Sequence, residues 1–290
     1  MRTGEPSFDL AQQRVTILGL GLMGGSLALA LQGRVARLMG CDQDGAVVAL
    51  AHQQGFLDQV STDLVSLLPQ TDLLVLAAPV RANLAVLARL PELAPDGLAV
   101  IDLSSTKMEI VNAMEQLPEQ FVALGGHPMC GKAHSGLAHA EAALFQEKVF
   151  VWTPTARTTA GLRSLATQIT QAVRADELWL PAEQHDHWTA ASSHLPYLLA
   201  VALVAATPLE AKALIGSGFG STTRIAASGV DMRLDILLTN QEPLLAVLER
   251  FRSRLAEFEI ALQAVDALRL QQLMTEARSR HAQLVTNKEG

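Results

Sequence analysis

The apolar run Arg14-Val15-Thr16-Ile17-Leu18 passes directly into Gly19-Leu20-Gly21-Leu22-Met23-Gly24, and an Ala- and Leu-rich segment, Ser26 to Gln32, follows. Strand, glycine turn and helix in that order leave few folds open. Gly19 permits the tight turn, Gly21 lets the backbone approach a pyrophosphate, and Gly24 lets the helix pack close to the sheet. Leu22 and Met23 then open the helix, whose N–H groups and partial positive charge suit phosphate. The competing reading is a glycine-rich turn that holds no ligand. Asp42 closes the next expected strand, about 20 residues on, where a ribose-binding carboxylate belongs. It would accept bonds from both ribose hydroxyls and repel a 2′-phosphate. Gln43 and Asp44 follow it, with no arginine, so NAD is expected, with NADP as the alternative. Asp42 could instead cap the following helix, leaving Asp44 as the ligand. Ala77-Ala78-Pro79 ends a further strand and would form a backbone wall beside the nucleotide.

That opening belongs to an alternating half. Strands are expected at Arg37 to Cys41, Leu73 to Ala77, Leu98 to Leu103, Phe121 to Leu124 and Val149 to Thr153, with helical spacing at Ala46 to Gln54 and Ala82 to Leu90. Continuous apolar strands separated by helices indicate an α/β fold with a parallel sheet covered on both faces. After Pro181 the texture becomes helical. Glu183 to Ala206 is interrupted near Pro196, Glu210 to Leu214 reads as a short helix, and Gly216 to Ser221 reads as a loop. Arg233 to Asn240 and Glu242 to Leu262 carry apolar residues at helical spacing. The expectation is a Rossmann-type dinucleotide-binding domain, 1–181, and an all-helical substrate and dimerisation domain, 182–290. So lipophilic a helical half is expected to bury its surplus in a homodimer.

Composition narrows the partners. The 290 residues are 49% hydrophobic and 18% charged, enough for a large core, and the formal charge of −7 argues against nucleic acid or an anionic membrane. An anionic substrate must then be held by local arginine or lysine. Cys41 and Cys130 form no disulfide framework. Met1 to Gln13 has no apolar run fit for a signal peptide, and Leu195 to Ala206 falls short of the ~20 residues a bilayer needs. A cytoplasmic enzyme is expected.

Four motifs remain. Asp102-Leu103-Ser104-Ser105-Thr106-Lys107 ends one strand, and Gly125-Gly126-His127-Pro128-Met129-Cys130-Gly131 ends another. Ser192-Ser193-His194-Leu195-Pro196 and Gly218-Phe219-Gly220-Ser221-Thr222-Thr223-Arg224-Ile225-Ala226 lie in the helical half. Together, over residues 14 to 265, they resemble the prephenate/arogenate dehydrogenase family of tyrosine biosynthesis. The resemblance implies NAD-dependent oxidative decarboxylation of a cyclohexadienol: prephenate to 4-hydroxyphenylpyruvate, or alternatively arogenate to tyrosine. It implies that His127 is the catalytic base, that Ser105 hydrogen-bonds the same hydroxyl and the histidine, and that Arg224 holds the ring carboxylate. His194 would be a second pocket histidine, Ser104 part of the cofactor loop and Lys132 a contact near the substrate side chain. Imidazole suits proton transfer near neutral pH, and a planar guanidinium suits a carboxylate.

The chain also departs from the family. Some relatives carry a basic residue at the position of Gly220 and many a threonine at Lys132, which leaves the keto-acid or amino-acid preference open. The chain ends soon after its helical half, with no room expected for a regulatory domain. Cys130 is not needed as a nucleophile. His185, Asp186 and His187 do not converge on a metal from one helix, and no metal is expected. Lys107 is either an active-site cation or an ordinary helix lysine. Two rival readings are a β-hydroxyacid dehydrogenase, with Lys212 as its central lysine, and a non-catalytic NAD-sensing dimer.

Overall fold

A computed structural model describes residues 8–132 and 134–285. The first seven residues of the segment judged unfit as a signal peptide lie outside the described residues. Eight strands, β1 Arg14–Leu18, β2 Arg37–Cys41, β3 Gln59–Ser61, β4 Leu73–Leu76, β5 Ala99–Asp102, β6 Val122–Pro128, β7 Val149–Pro154 and β8 Asp176–Trp179, form one sheet in the order β3-β2-β1-β4-β5-β6-β7-β8. All neighbours run parallel except β6 and β7. After β3 the chain returns to the far side of β1, so the order reverses between β1 and β4. At such a switch point a crevice opens beyond the carboxyl ends of the strands.

Five helices cover this sheet: α1 Leu22–Leu31, α2 Gly45–Gln54, α3 Val80–Leu93, α4 Met108–Glu115 and α5 Ala160–Val173. The strands are apolar on both sides because both sides are covered. Leu73 and Val75 of β4 join Leu27 and Leu31 of α1 and Leu162 and Leu165 of α5 in one core cluster. Leu74 and Leu76 join Leu87 and Leu90 of α3 and Ile110 and Met114 of α4 in another. The period-2 geometry of a strand sends alternate residues to opposite faces, which accounts for the unbroken apolar run.

Helices continue with α6 Ala182–Thr189, a π-helical turn Ala190–His194, α7 Leu195–Ala206, α8 Ser217–Thr223, α9 Val230–Thr239, α10 Gln241–Gln263 and α11 Ala267–Val285. By contact the chain divides into residues 1–241 and 242–290; the division expected at 181 follows composition. The second unit holds most of α10 and α11, with Glu257 bridging Arg254 at 2.9 Å and Arg269 at 2.6 Å.

Four local expectations need correction. The strand expected to stop at Leu124 runs on through His127 to Pro128, so the histidine lies among its last paired residues. β5 supports β6 only as far as Leu124, but β7 pairs on through His127–Val151 and Pro128–Phe150, so the strand continues. Residues 216–221 are largely helical in α8, despite three glycines; propensity is a weak prior where a helix packs on a neighbour, here α7. The interruption near Pro196 is the π turn before it, since proline is tolerated in the first turn of a helix. Finally, because the π turn is continuous, Ala182–Ala206 is one 25-residue helical stretch, apolar and long enough by composition to cross a membrane, with 33% of its most apolar window buried. Its His185, Asp186 and His194 are buried and hydrogen-bonded within the first unit, as a core helix requires.

Candidate active site

The glycine turn sits at the switch point. Gly19 has φ +91°, and a Cβ there would meet the Ala78 amide nitrogen at 2.6 Å; one on Gly24 would meet the Gly19 carbonyl oxygen at 1.9 Å. Turn, α1 and the Ala77–Ala78 backbone therefore fit only with glycine at both positions. Around Gly21 an added Cβ meets nothing within 4 Å, and no side chain caps α1 there. Its first N–H groups are left for a ligand. Asp42 Oδ2 accepts from Leu20 N–H at 2.8 Å and Oδ1 from Asp44 N–H at 3.0 Å, so its carboxylate is tied to the turn. Asp44, by contrast, is the N-cap of α2, accepting from Ala46 N–H at 2.8 Å. Open space, uncapped N–H groups and a neighbouring carboxylate fit the pyrophosphate and ribose of a dinucleotide.

Along the same edge Asn83, fully buried on α3, donates to Ala78 O at 2.9 Å and to Ser104 Oγ at 3.0 Å. It joins the ends of β4 and β5. Neither motif nor spacing marks it in the sequence.

His127 projects from β6 into a connected network. Its Nδ1 lies 2.8 Å from His185 Nε2, and His185 Nδ1 lies 2.7 Å from Asp186 Oδ1. Asp186 also accepts the backbone N–H groups of Lys107 and Met108, both at 2.8 Å, so a side chain from α6 caps α4. Asn240, after α9, donates to Asp186 O at 2.9 Å and pairs with His194 Nδ1 at 3.0 Å. Burial holds all three histidines below the usual imidazole range, His127 well below it and His194 at about 4. For His127 the neighbours His185, Lys107 and His194 add to the effect; for His185 Lys107 adds to it as well, but the carboxylates of Asp186 and Asp102 oppose it. All three are neutral at pH 7, the form in which an imidazole can accept a proton.

Lys107 is not an ordinary helix lysine. Fully buried, its Nζ donates to Asp102 Oδ2 and to Gly126 O, both at 2.6 Å. Asp102 Oδ1 accepts from Gly126 N–H at 3.0 Å and Oδ2 from Ser104 N–H at 2.7 Å. Burial lowers the Lys107 pKa and Asp102 opposes that. The pair pins the peptide that precedes His127.

Two family models match successive parts of the chain. One, described as prephenate dehydrogenase, nucleotide-binding domain, matches residues 26–176, and one described as prephenate dehydrogenase, dimerization domain, matches 181–276. The chain belongs to the prephenate dehydrogenase family. It is 33% identical over 264 residues to prephenate dehydrogenase of Bacillus subtilis, covering 86% of this chain and 69% of that one. The structure of the Aquifex aeolicus prephenate dehydrogenase in complex with hydroxyphenyl propionate and NAD+ superposes with TM-score 0.85 at 28% identity, covering 94% of this chain and 99% of that one. Arogenate dehydrogenase of Synechocystis superposes with TM-score 0.79 at 26% identity, covering 94% and 100%.

This member of the prephenate dehydrogenase family brings together only some of its expected site. His127 and His194 share one network through His185, Asp186 and Asn240. Ser105 is half-buried, and among the described residues no hydrogen bond joins it to His127, whose Nδ1 pairs with His185. Arg224 is exposed on the 3-10 turn Arg224–Ala227, which packs against α7, with no ion pair among the described residues. Lys132 is bound to Glu141 at 2.8 Å and to His139 O at 3.0 Å. Arg233, unmarked in sequence, lies over the Tyr197 ring at 4.7 Å, and its buried Nε has no partner among the described residues. Burial lifts the Cys130 thiol to about 11, so it is not a thiolate. Among the described residues no group of three His, Cys, Asp or Glu could hold a metal ion.

Proposed function

We propose that this chain is an NAD-dependent prephenate dehydrogenase, oxidising prephenate with loss of CO2 to 4-hydroxyphenylpyruvate. The observation that carries the reading is a neutral, half-buried imidazole at the carboxyl edge of a dinucleotide-type sheet, within a chain matched by both family models. The backbone around Gly19, Gly21, Leu22, Met23 and Gly24 holds the pyrophosphate and Asp42 the ribose, with Ala78, Pro79 and Ser104 walling the nucleotide. Bound there, NAD supplies the acceptor for the hydride of the carbinol carbon. His127 takes the hydroxyl proton, and Ser105 holds the hydroxyl in line. Arg224 binds the ring carboxylate and keeps it ionised, since a carboxylate and not an acid must leave as CO2. His194 closes one side of the pocket, and Lys132 meets the substrate side chain once released from Glu141.

Residues 1–181 serve as the cofactor domain and 182–290 as the substrate and dimerisation domain of a homodimer. Free Cys41 and Cys130 suit a reducing cytoplasm. The likeness to an arogenate dehydrogenase supports a second reading, in which the same chemistry on arogenate gives tyrosine. The test is NADH or NADPH formation with purified protein, prephenate and arogenate, each with NAD and NADP. Turnover is expected to be fastest with prephenate and NAD. Arogenate as the faster substrate would establish the second reading, and inactivity in all four mixtures would overturn both.

A further inference from the structure

A hydrogen-bonded chain of carboxylate, imidazole and imidazole has a defined direction, because its first member can only accept. Asp186 is fixed by two backbone N–H groups at 2.8 Å, and its Oδ1 faces His185 Nδ1 at 2.7 Å. His185 must therefore carry its proton on Nδ1. Being neutral, it presents a lone pair at Nε2, 2.8 Å from His127 Nδ1. His127 must then carry its own proton on Nδ1, which leaves Nε2 as the acceptor. Among the described residues nothing hydrogen-bonds that nitrogen. A free neutral imidazole prefers the other tautomer, with the proton on Nε2, which could not accept from a substrate hydroxyl there.

We propose that Asp186 and His185 are positioning residues that fix the tautomer of His127 and receive the positive charge it acquires. This rests on His127 acting as the base. When Nε2 of His127 takes the substrate proton, the substrate O–H bond breaks and an N–H bond forms. The Nδ1 proton of His127 then passes to His185 Nε2, so the charge moves from one imidazole to the next. The surroundings favour that direction. His127 is flanked by Lys107, His185 and His194, whereas His185 has Asp186 in contact and Asp102 nearby. Lys107 opposes a charge on either ring, but only His185 has carboxylates to offset it, so the cation is better placed there. Asn240 fixes the other end: it spends one amide proton on Asp186 O and the other on His194 Nδ1, so His194 carries its proton on Nε2 and is a donor. One network thus holds an imidazole acceptor and an imidazole donor.

The tautomers are read directly by two-bond 1H–15N correlation spectra of histidine-labelled, full-length protein saturated with NAD, without substrate. The expected result is an Nδ1–H tautomer for His127 and for His185. In Asp186→Asn the amide can donate to His185, reversing the chain, and His127 should switch to Nε2–H with kcat falling on the order of 100- to 10,000-fold and KM nearly unchanged, as carboxylate-to-amide changes do in other histidine systems. His185→Gln, whose carbonyl can still accept from His127, should retain kcat within about tenfold, and His185→Leu should lose about 100-fold or more. An Nε2–H tautomer of His127 in the unaltered protein overturns the proposal, even if no variant folds. So does equal turnover by the His185→Leu and His185→Gln proteins. Inactivity with prephenate alongside an Nδ1–H spectrum would overturn the assigned reaction and leave the tautomer assignment standing.

Discussion

Arg224 and Arg233 show how differently one residue type can be held. Arg233 is half-buried against Tyr197, with burial lowering its pKa. Arg224 is exposed and unpaired among the described residues, so binding a carboxylate would break no existing bond. Hydrogen bonds to charged groups contribute ~1.5–3 kcal/mol, roughly 10- to 150-fold in affinity. Arg224→Ala should therefore raise KM for prephenate about 10- to 100-fold while kcat changes only a few-fold, and Arg224→Lys should fall between, having the charge without the planar fork. Steady-state kinetics check this; an unchanged KM would remove Arg224 from the site. At this scale the sequence is half legible. Gly19, Gly24, Asp42 and His127 each carry a local signal, because the turn, the strand end and the motif are contiguous. His185 and Asp186 do not, because their partners lie 58 and 79 residues away, and on α6 they look like polar neighbours that diverge. Only the packing of α6 on α4 and β6 turns them into a network.

Elements meet at buried charges as well as at apolar faces. Lys107 and Asp102 join the end of β5 to the Gly125–His127 stretch of β6, with both side chains fully buried. A pair in this setting gives little net stability relative to apolar residues, yet breaking it leaves one charge stranded. Lys107→Met should destabilise the fold by about 3–5 kcal/mol, whereas a double replacement of Lys107 by Met and Asp102 by Leu should recover much of it. Urea unfolding followed by fluorescence measures both; equal midpoints for the single variant and the unaltered chain would refute the argument. The strands that proved hardest to read share a physical cause. β3 and β8 are short edge strands, with residues 59–61 half-buried and 176–178 exposed, so neither shows the apolar run of a central strand. The six strands with an unbroken apolar signature are the ones legible in sequence. The extension of β6 is invisible for a different reason: it depends on β7 pairing antiparallel, and Gly125-Gly126 reads locally as a turn.

At the scale of the whole chain, apolar surface is left over. In residues 1–241, Leu209 is 88% exposed, Leu214 89% and Val230 72%, and in 242–290 Leu255, Ile260, Leu262 and Leu268 are each more than half exposed. Scattered apolar residues are ordinary on any surface, but so many within one helical half are what a second copy would be expected to cover. Composition foretold the surplus, since Leu, Ala and Val dominate the helices. It could not foretell which side chains remain uncovered, because helical spacing shows only that a face exists. Leu244 and Leu245, adjacent on α10, separate into 7% and 55% exposed. The match of residues 181–276 to a dimerization domain leads to the same expectation by another route. Obligate homodimers bury ~2,000 Å² or more, largely apolar. Light scattering coupled to size exclusion should therefore give twice the 31.0 kDa chain mass at micromolar concentration. Replacing Leu209 and Leu214 together by Glu, or Leu255 and Leu262 together by Glu, should shift at least one variant towards monomer without lowering its NAD affinity, because the glycine turn and Asp42 lie on the sheet. A chain that runs as a monomer at all concentrations, with these leucines intact, would leave the surplus unexplained and sink the homodimer.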